Sequence, residues 1–417
     1  MLRFPSLAIF RHRAFGRFLL GRLLVVLAMQ VQLTAMLWQV YDAARDEGRS
    51  IAEAAFVLGL VGLAQFLPLL VLSLLGGQAA DRYDRKGILL GCYGAKVLLA
   101  CALFGATQLS AQALILAIFA AAAATGAVNA FLPPANSALL PTLVPREELP
   151  QAIAWGSLGF QFGVIVGPAL GGLLFGIGPF APYAAAAAMF VAALGLLWLT
   201  PTPAQQKVDD ARTIGLIVEG LRYVWSNKIV LGAISLDLVV VLLAGAVALL
   251  PVFARDILHA GPSELGVLRS AMGAGAALVA LGLAAAPLRR NVGAWMFGST
   301  IVFGLATIVF GLSQSFWLTA AALAVAGAVD MISVYVRQSL IQLATPAPMQ
   351  GRVAAVSFVF ISASNELGDF EAGLMARLLG PSLAVTIGAA AIAASLGWMR
   401  LFPALTRADG FEPADRR

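Results

Sequence analysis

Long apolar runs recur from one end of this 417-residue chain to the other. A helix rises about 1.5 Å per residue, so about 20 apolar residues carry it across the hydrocarbon core of a bilayer. That ruler predicts twelve spans, at 15–40, 53–76, 87–108, 112–138, 149–176, 181–200, 229–254, 264–287, 292–313, 316–344, 352–378 and 382–402. The chain is 60% hydrophobic and 12% charged, against about 25% charged in soluble domains. One core in water could not hide that surface, whereas lipid accepts it and a helix satisfies its own backbone there. The expected fold is an all-α membrane protein, with twelve transmembrane helices in two pseudo-symmetric six-helix bundles.

Turn residues separate the runs, among them Gly176 to Pro182, Pro262-Ser263, Pro346 to Pro348 and Gly380-Pro381. The break at 201–228 is longer. It is polar and then amphipathic, with Ile214, Ile217, Val218, Leu221, Val224 and Trp225 at helical spacing, as in a helix lying on a membrane surface. It divides the chain into bundles at 1–200 and 229–417. With both termini in the cytoplasm, Arg3, Arg11, Arg82, Arg85, Lys86, Arg146, Lys228 and Arg352 fall inside, while Arg45, Arg49, Arg255 and Arg377 fall outside. This asymmetry follows the positive-inside rule. The halves echo each other: Asn129 aligns with Asp330, Gly167 with Gly368 and Gly172 with Gly373, as in two repeats around a cavity.

Two strings carry chemistry. After the second span comes Gly77-Gln78-Ala79-Ala80-Asp81-Arg82-Tyr83-Asp84-Arg85-Lys86. Small residues let helices approach before a charged turn. Asp81 suits a neighbouring helix N-terminus, and Arg82, Arg85 and Lys86 complete a cluster that serves either as a two-state latch or as a plain positive-inside turn. Within span 5, Gly163, Gly167, Pro168, Gly171 and Gly172 build a groove for close contact around a bend.

The first string resembles the signature loop between helices 2 and 3 of the major facilitator superfamily, with Asp84 where that family often has Gly. The second resembles the helix-5 motif of the superfamily's exporters. The stretches Leu139 to Leu149, Ser235 to Leu238 and Ile361 to Glu371 resemble the bacterial subfamily that includes the enterobactin exporter. The resemblance covers nearly the whole chain. It implies the major facilitator fold and export, by proton antiport and rocker-switch alternating access, of a siderophore such as a catecholate or of a hydrophobic drug. It further implies a monomer in the bacterial inner membrane. An importer or facilitator of the same fold is the alternative.

Charge inside a span is costly, about 2.5–3.5 kcal/mol per residue at a helix centre. The C-terminal half places Asp237, Asp330, Arg337, Glu366, Asp369 and Glu371 there. These residues form either a proton-carrying set or a static brace. Superfamily exporters often carry an Arg in helix 4, but 112–138 holds no charge, so any coupling falls to the C-terminal acids. The N-terminal half is basic inside, with Arg22 and Lys96, and adds Gln30, Gln32, Asn129, Asn136, Gln161 and the aromatic Trp38 as candidate cavity residues. The alternative for Lys96 is that it snorkels or pairs with an acid across the interface.

Other classes find little support. There is no Gly-x4-Gly-Lys-Ser/Thr phosphate loop. His12 and His259 are solitary, and Cys92 and Cys101 share one apolar run, so no metal site, cofactor or disulfide framework is expected. Basic residues sit between apolar runs rather than along a stripe, which argues against nucleic acid. No cleavable signal peptide is read at the start. A membrane-embedded enzyme would need a nucleophile–base or metal constellation, and none is legible.

Overall fold

The computed structural model describes residues 7–202, 213–243, 246–288, 290–346, 349–386 and 388–406. Among them every regular element is helical. The principal helices are α1 (Arg13–Asp46), α2 (Ile51–Arg82), α3 (Arg85–Ala106), α4 (Ala111–Leu139), α5 (Leu149–Phe175), α6 (Ala181–Trp198) and α7 (Thr213–Ser226). They continue as α8 (Lys228–Leu243), α9 (Pro262–Ala285), α10 (Val292–Leu312), α11 (Phe316–Ala344), α12 (Gln350–Leu379), α13 (Pro381–Thr386) and α14 (Gly388–Leu401). Short helical turns, the last of them the π-helical turn Phe253–Ile257, lead from α8 towards α9.

Ten helices among the described residues are long and apolar enough to cross a membrane. The expected spans at 352–378 and 382–402 are not among them. The first lies in α12, which carries Glu366, Asp369, Glu371 and Arg377. The second lies across α13 and α14, with residue 387 outside the described set.

The described residues of Met1–Asp210, with Pro251–Ser270, form one compact unit; those of Ala211–Leu250 and Ala271–Arg417 form another. In the first, α1 packs on α5 and α6, α3 packs on α4 and α6, and α2 packs on α4. In the second, α8 packs on α12 and α14, and α10 packs on α11 and α14. By these contacts α1, α3, α4, α5 and α6 choose partners in the same pattern as α8, α10, α11, α12 and α14. Glycine marks the same place in both. A methyl group on Gly126 would strike the Gln65 carbonyl of α2, and one on Gly327 would strike the Met272 carbonyl of α9. Helices meet this closely in lipid only where a side chain is missing.

The amphipathic helix is α7. Tyr223 donates to the Ala344 carbonyl, and Glu219 pairs with Arg352 of α12. The side chains of Ile214, Ile217 and Val218 lie outside the described residues, but Val224 is fully buried and Trp225 is exposed.

Candidate functional site

In the first unit α1, α2, α3, α4 and α6 enclose a cavity of about 80 Å³. Lys96 of α3 is 1% exposed. Its Nζ does not snorkel and, among the described residues, meets no acid, but donates to Asn129 Oδ1 on α4 at 3.0 Å. Gln30, Lys96 and Asn129, all expected on a cavity wall, meet here, joined by Gln32, Gln65 and Thr125. Gln65 and Thr125 escaped the sequence reading. Thr125 stands four residues before Asn129 and so shares its helix face, and Gln65 interrupts the apolar run of span 2. The close approach at Gly126 sets Gln65 against α4. Arg22, Trp38, Asn136 and Gln161 do not line this cavity. Arg22 lies over Gly156 of α5, and Trp38 is buried on α1.

The second unit holds a smaller cavity, about 20 Å³, between α8, α10 and α11. Its helices α8, α10 and α11 correspond by their packing partners to α1, α3 and α4 of the larger cavity. Its chemistry is opposite, with Asp237 and Asp330 in the wall. Arg337, two turns beyond Asp330 on α11, turns to Asp237, and both members of this ion pair are buried. Among the described residues no partner reaches Asp330. Glu366 and Asp369 stand half-buried on α12, each engaged by a neighbour.

The loop string forms a set of helix-end clamps. Arg85 donates to the Ala138 carbonyl at 3.0 Å, near the C-terminus of α4, and to Ala80 of α2. Lys86 Nζ donates to the carbonyls of Trp198 at 3.0 Å and Thr200 at 2.7 Å, at the C-terminus of α6. Cations at these ends satisfy carbonyls that lack helical partners and meet the negative pole of each helix dipole. The departure at Asp84 has a role: its Oδ2 accepts from the Gly87 backbone N–H at 2.9 Å and caps α3. Gly77 has open space around it, and the Asp81 side chain lies outside the described residues. Arg82 is exposed. Arg85→Gln keeps one amide donor but removes the charge. Transport turnover is expected to fall severalfold with little loss of folded protein, as read by substrate flux per molecule; unchanged flux would make the loop a topological marker.

The span-5 glycines form a seam with α1. A methyl on Gly163 would meet the Val26 side chain, one on Gly167 would meet Gln30 Cβ, and one on Gly171 would meet the Val31 carbonyl. Pro168 breaks the hydrogen-bond ladder of α5, and Ser270 enters the break. Its hydroxyl donates to the Ile165 carbonyl at 2.6 Å and accepts from the Ala169 N–H at 3.1 Å. A side chain inserted in the ladder is a recognised source of a helix bend. Gly172 abuts Pro262 and Gly266 backbone.

A polar cluster that the sequence reading treated only as outside charge lies at the C-terminal end of α1. Arg255 of the π-helical turn pairs with Asp42 at 2.6 Å and Asp46 at 3.2 Å. Its neighbour Asp256 pairs with Arg45 at 3.2 Å and accepts from the Tyr41 hydroxyl.

The pattern of the Transmembrane secretion effector family matches residues 5–413. The enterobactin exporter EntS of Shigella boydii serotype 18 is 31% identical over 381 residues, covering 89% of this chain and 84% of the relative. The enterobactin exporter EntS of Citrobacter koseri matches at the same identity and coverage, 31% over 89% of this chain and 84% of its own. Among solved structures, a D-xylose-proton symporter superposes with TM-score 0.71 at 12% identity, covering 94% of this chain and 98% of its own.

Proposed function

The chain belongs to the Transmembrane secretion effector family of the major facilitator superfamily, and on that premise we propose that it exports a small molecule, a catecholate-type siderophore or a hydrophobic drug, in exchange for protons. It is a multi-pass membrane transporter and not an enzyme. The outward direction rests on its likeness, over most of the chain, to enterobactin exporters. In this reading twelve helices form bundles at 1–200 and 229–417, joined by 201–228, in a bacterial inner membrane with both termini in the cytoplasm. The chain works as a monomer by rocker-switch alternating access. The test is direct. Inside-out vesicles should accumulate a fluorescent or radiolabelled catecholate when a proton gradient is imposed, and cells lacking the protein should retain it. Uptake independent of the gradient would remove antiport, and accumulation only in right-side-out vesicles would establish an importer.

Asp330, Glu366 and Asp369 are the proposed proton carriers, and Asp237 with Arg337 the brace. Supporting this division, Arg337 is taken by Asp237, while Asp330 lines its cavity with no cation paired to it among the described residues. The clamps of Arg85 and Lys86 are the proposed latch.

With 229–417 moving as one bundle, the Pro251–Ser270 segment parts from α1 in one state and breaks the pairs that Asp42 and Asp46 make with Arg255. Asp42→Cys with Arg255→Cys, joined by a short bifunctional thiol reagent, is expected to cut transport at least tenfold, and a cleavable linker should restore it. Full cross-linking with normal flux would mean that the segment travels with α1.

A further inference from the structure

We propose that the cavity of the first unit is a subsite for an acidic group bearing an ionised oxygen beside a hydroxyl, with Lys96 holding the oxyanion and Gln32 the hydroxyl. This rests on the reading of the chain as a small-molecule exporter and narrows its cargo. Taking an ammonium out of water costs several kcal/mol unless it is paired. Lys96 is 1% exposed, and its sole hydrogen bond among the described residues runs to a neutral amide, Asn129 Oδ1 at 3.0 Å. An ammonium has three donors, so the cavity wall carries a positive charge and unused donor capacity. An anion supplies what is missing.

The other groups say which anion. Gln32 is 4% exposed and its Oε1 is buried without a hydrogen-bond partner; the hydroxyl of Thr125, at 9% exposure, is in the same position. Both residues line the cavity with Lys96. Gln32 Oε1 only accepts, whereas Thr125 donates or accepts. An unmet buried group of this kind costs about 1–3 kcal/mol. A lone oxyanion would satisfy Lys96 and Thr125 and leave Gln32 Oε1 empty. An uncharged apolar ligand would satisfy none of them. An oxyanion with an O–H on the adjacent carbon meets all three. Size sets the limit: a cavity of ~150 Å³ holds benzene, so about 80 Å³ admits the polar edge of one ring or a small hydroxy acid, and the rest of a larger cargo stays outside it. The shared chemistry has two sources, a catechol monoanion and an α-hydroxycarboxylate.

The test uses the full chain in lipid nanodiscs and 4-nitrocatechol, whose visible absorbance reports its phenolate. The wild type should bind it as the phenolate at a pH where the free dye is mainly phenol. It should bind at least tenfold more tightly than the 2-methyl ether, which keeps the ionising oxygen and lacks the neighbouring O–H. Lys96→Met should lose at least tenfold in affinity together with the phenolate band. Gln32→Leu should keep the band and abolish the preference over the ether. Displacement by mandelate but not phenylacetate would support the subsite with a hydroxy acid as its source; displacement by catechol but not mandelate would support it with a catechol. A folded Lys96→Met variant binding within twofold of wild type overturns the proposal. So does equal wild-type affinity for catechol and ether, a comparison that decides the matter even where Lys96→Met does not fold. Binding needs neither gradient nor direction, so a protein that binds the dye without exporting it retains the subsite and loses the exporter reading. Export of neutral dyes without such binding does the reverse.

Discussion

Gly126→Ala is expected to strip most folded protein from the membrane, while Gly105→Ala leaves it intact. The two changes add the same methyl to a helix, and by intrinsic propensity each should favour the helix by about 1 kcal/mol. What differs is the neighbour. Around Gly105 nothing lies within 4 Å, whereas a methyl on Gly126 would run into the backbone of Gln65, its carbonyl oxygen first and its Cα at 3.2 Å. Backbone in a packed helix has no rotamer to escape into, so α2 and α4 must part. Overpacking costs about 1–3 kcal/mol even where side chains can shift, and the loss here should lie at or beyond the top of that range. The same logic grades the span-5 seam. Gly163→Ala meets a valine side chain and should be the mildest; Gly171→Ala meets the Val31 carbonyl at 2.8 Å and should be the worst. Gly327→Ala should repeat Gly126→Ala in the second unit. Yield of monodisperse detergent-solubilised protein and its Tm read the series. Equal Tm for Gly126→Ala and Gly105→Ala would refute the claim that these glycines set the helix spacing.

The elements that sequence exposed are those fixed by local physics. Apolar length locates α1 to α6 and α8 to α11 because span length depends only on bilayer thickness, and the glycine spacing of α5 announces a groove before any partner is known. Apolar length alone loses force where charge enters, as in α12, whose ends lie within two residues of the expected span but which is not among the helices apolar enough to cross, since hydropathy cannot distinguish a wet helix face from a surface helix. The site was legible as residue types and illegible as pairings. Lys96 reads as a misplaced cation, but only the packing of α3 on α4 shows that its partner is Asn129. Arg337 reads as a neighbour of Asp330 on one helix, yet long-range packing gives it to Asp237. Ser270 gives no sign of mending α5, because its partners lie about a hundred positions away in the chain. Asp84 looked like a departure from a loop pattern and proves to be a helix cap.

The acids of the second unit should separate by variant into brace and carrier. Asp237→Asn leaves Arg337, with a side chain 5% exposed, charged and without its counter-ion. Removing one member of a buried pair costs about 3–5 kcal/mol, so Tm and folded yield should drop sharply. Asp237→Asn combined with Arg337→Gln removes both charges and should recover most of that loss, since the stranded charge rather than the missing attraction dominates the cost. Asp330→Asn is a different experiment. No cation is stranded, and a carboxylate held away from water is replaced by a neutral amide of the same shape, so stability should hold or rise. If Asp330 carries the proton, the amide mimics its loaded form permanently. Gradient-driven accumulation should then fall at least tenfold, while counterflow of labelled against unlabelled substrate continues, because exchange needs the conformational cycle without net proton movement. Wild-type accumulation and pH dependence in Asp330→Asn would assign the residue to packing and move the coupling role to Glu366 and Asp369, whose amide variants are read by the same pair of assays.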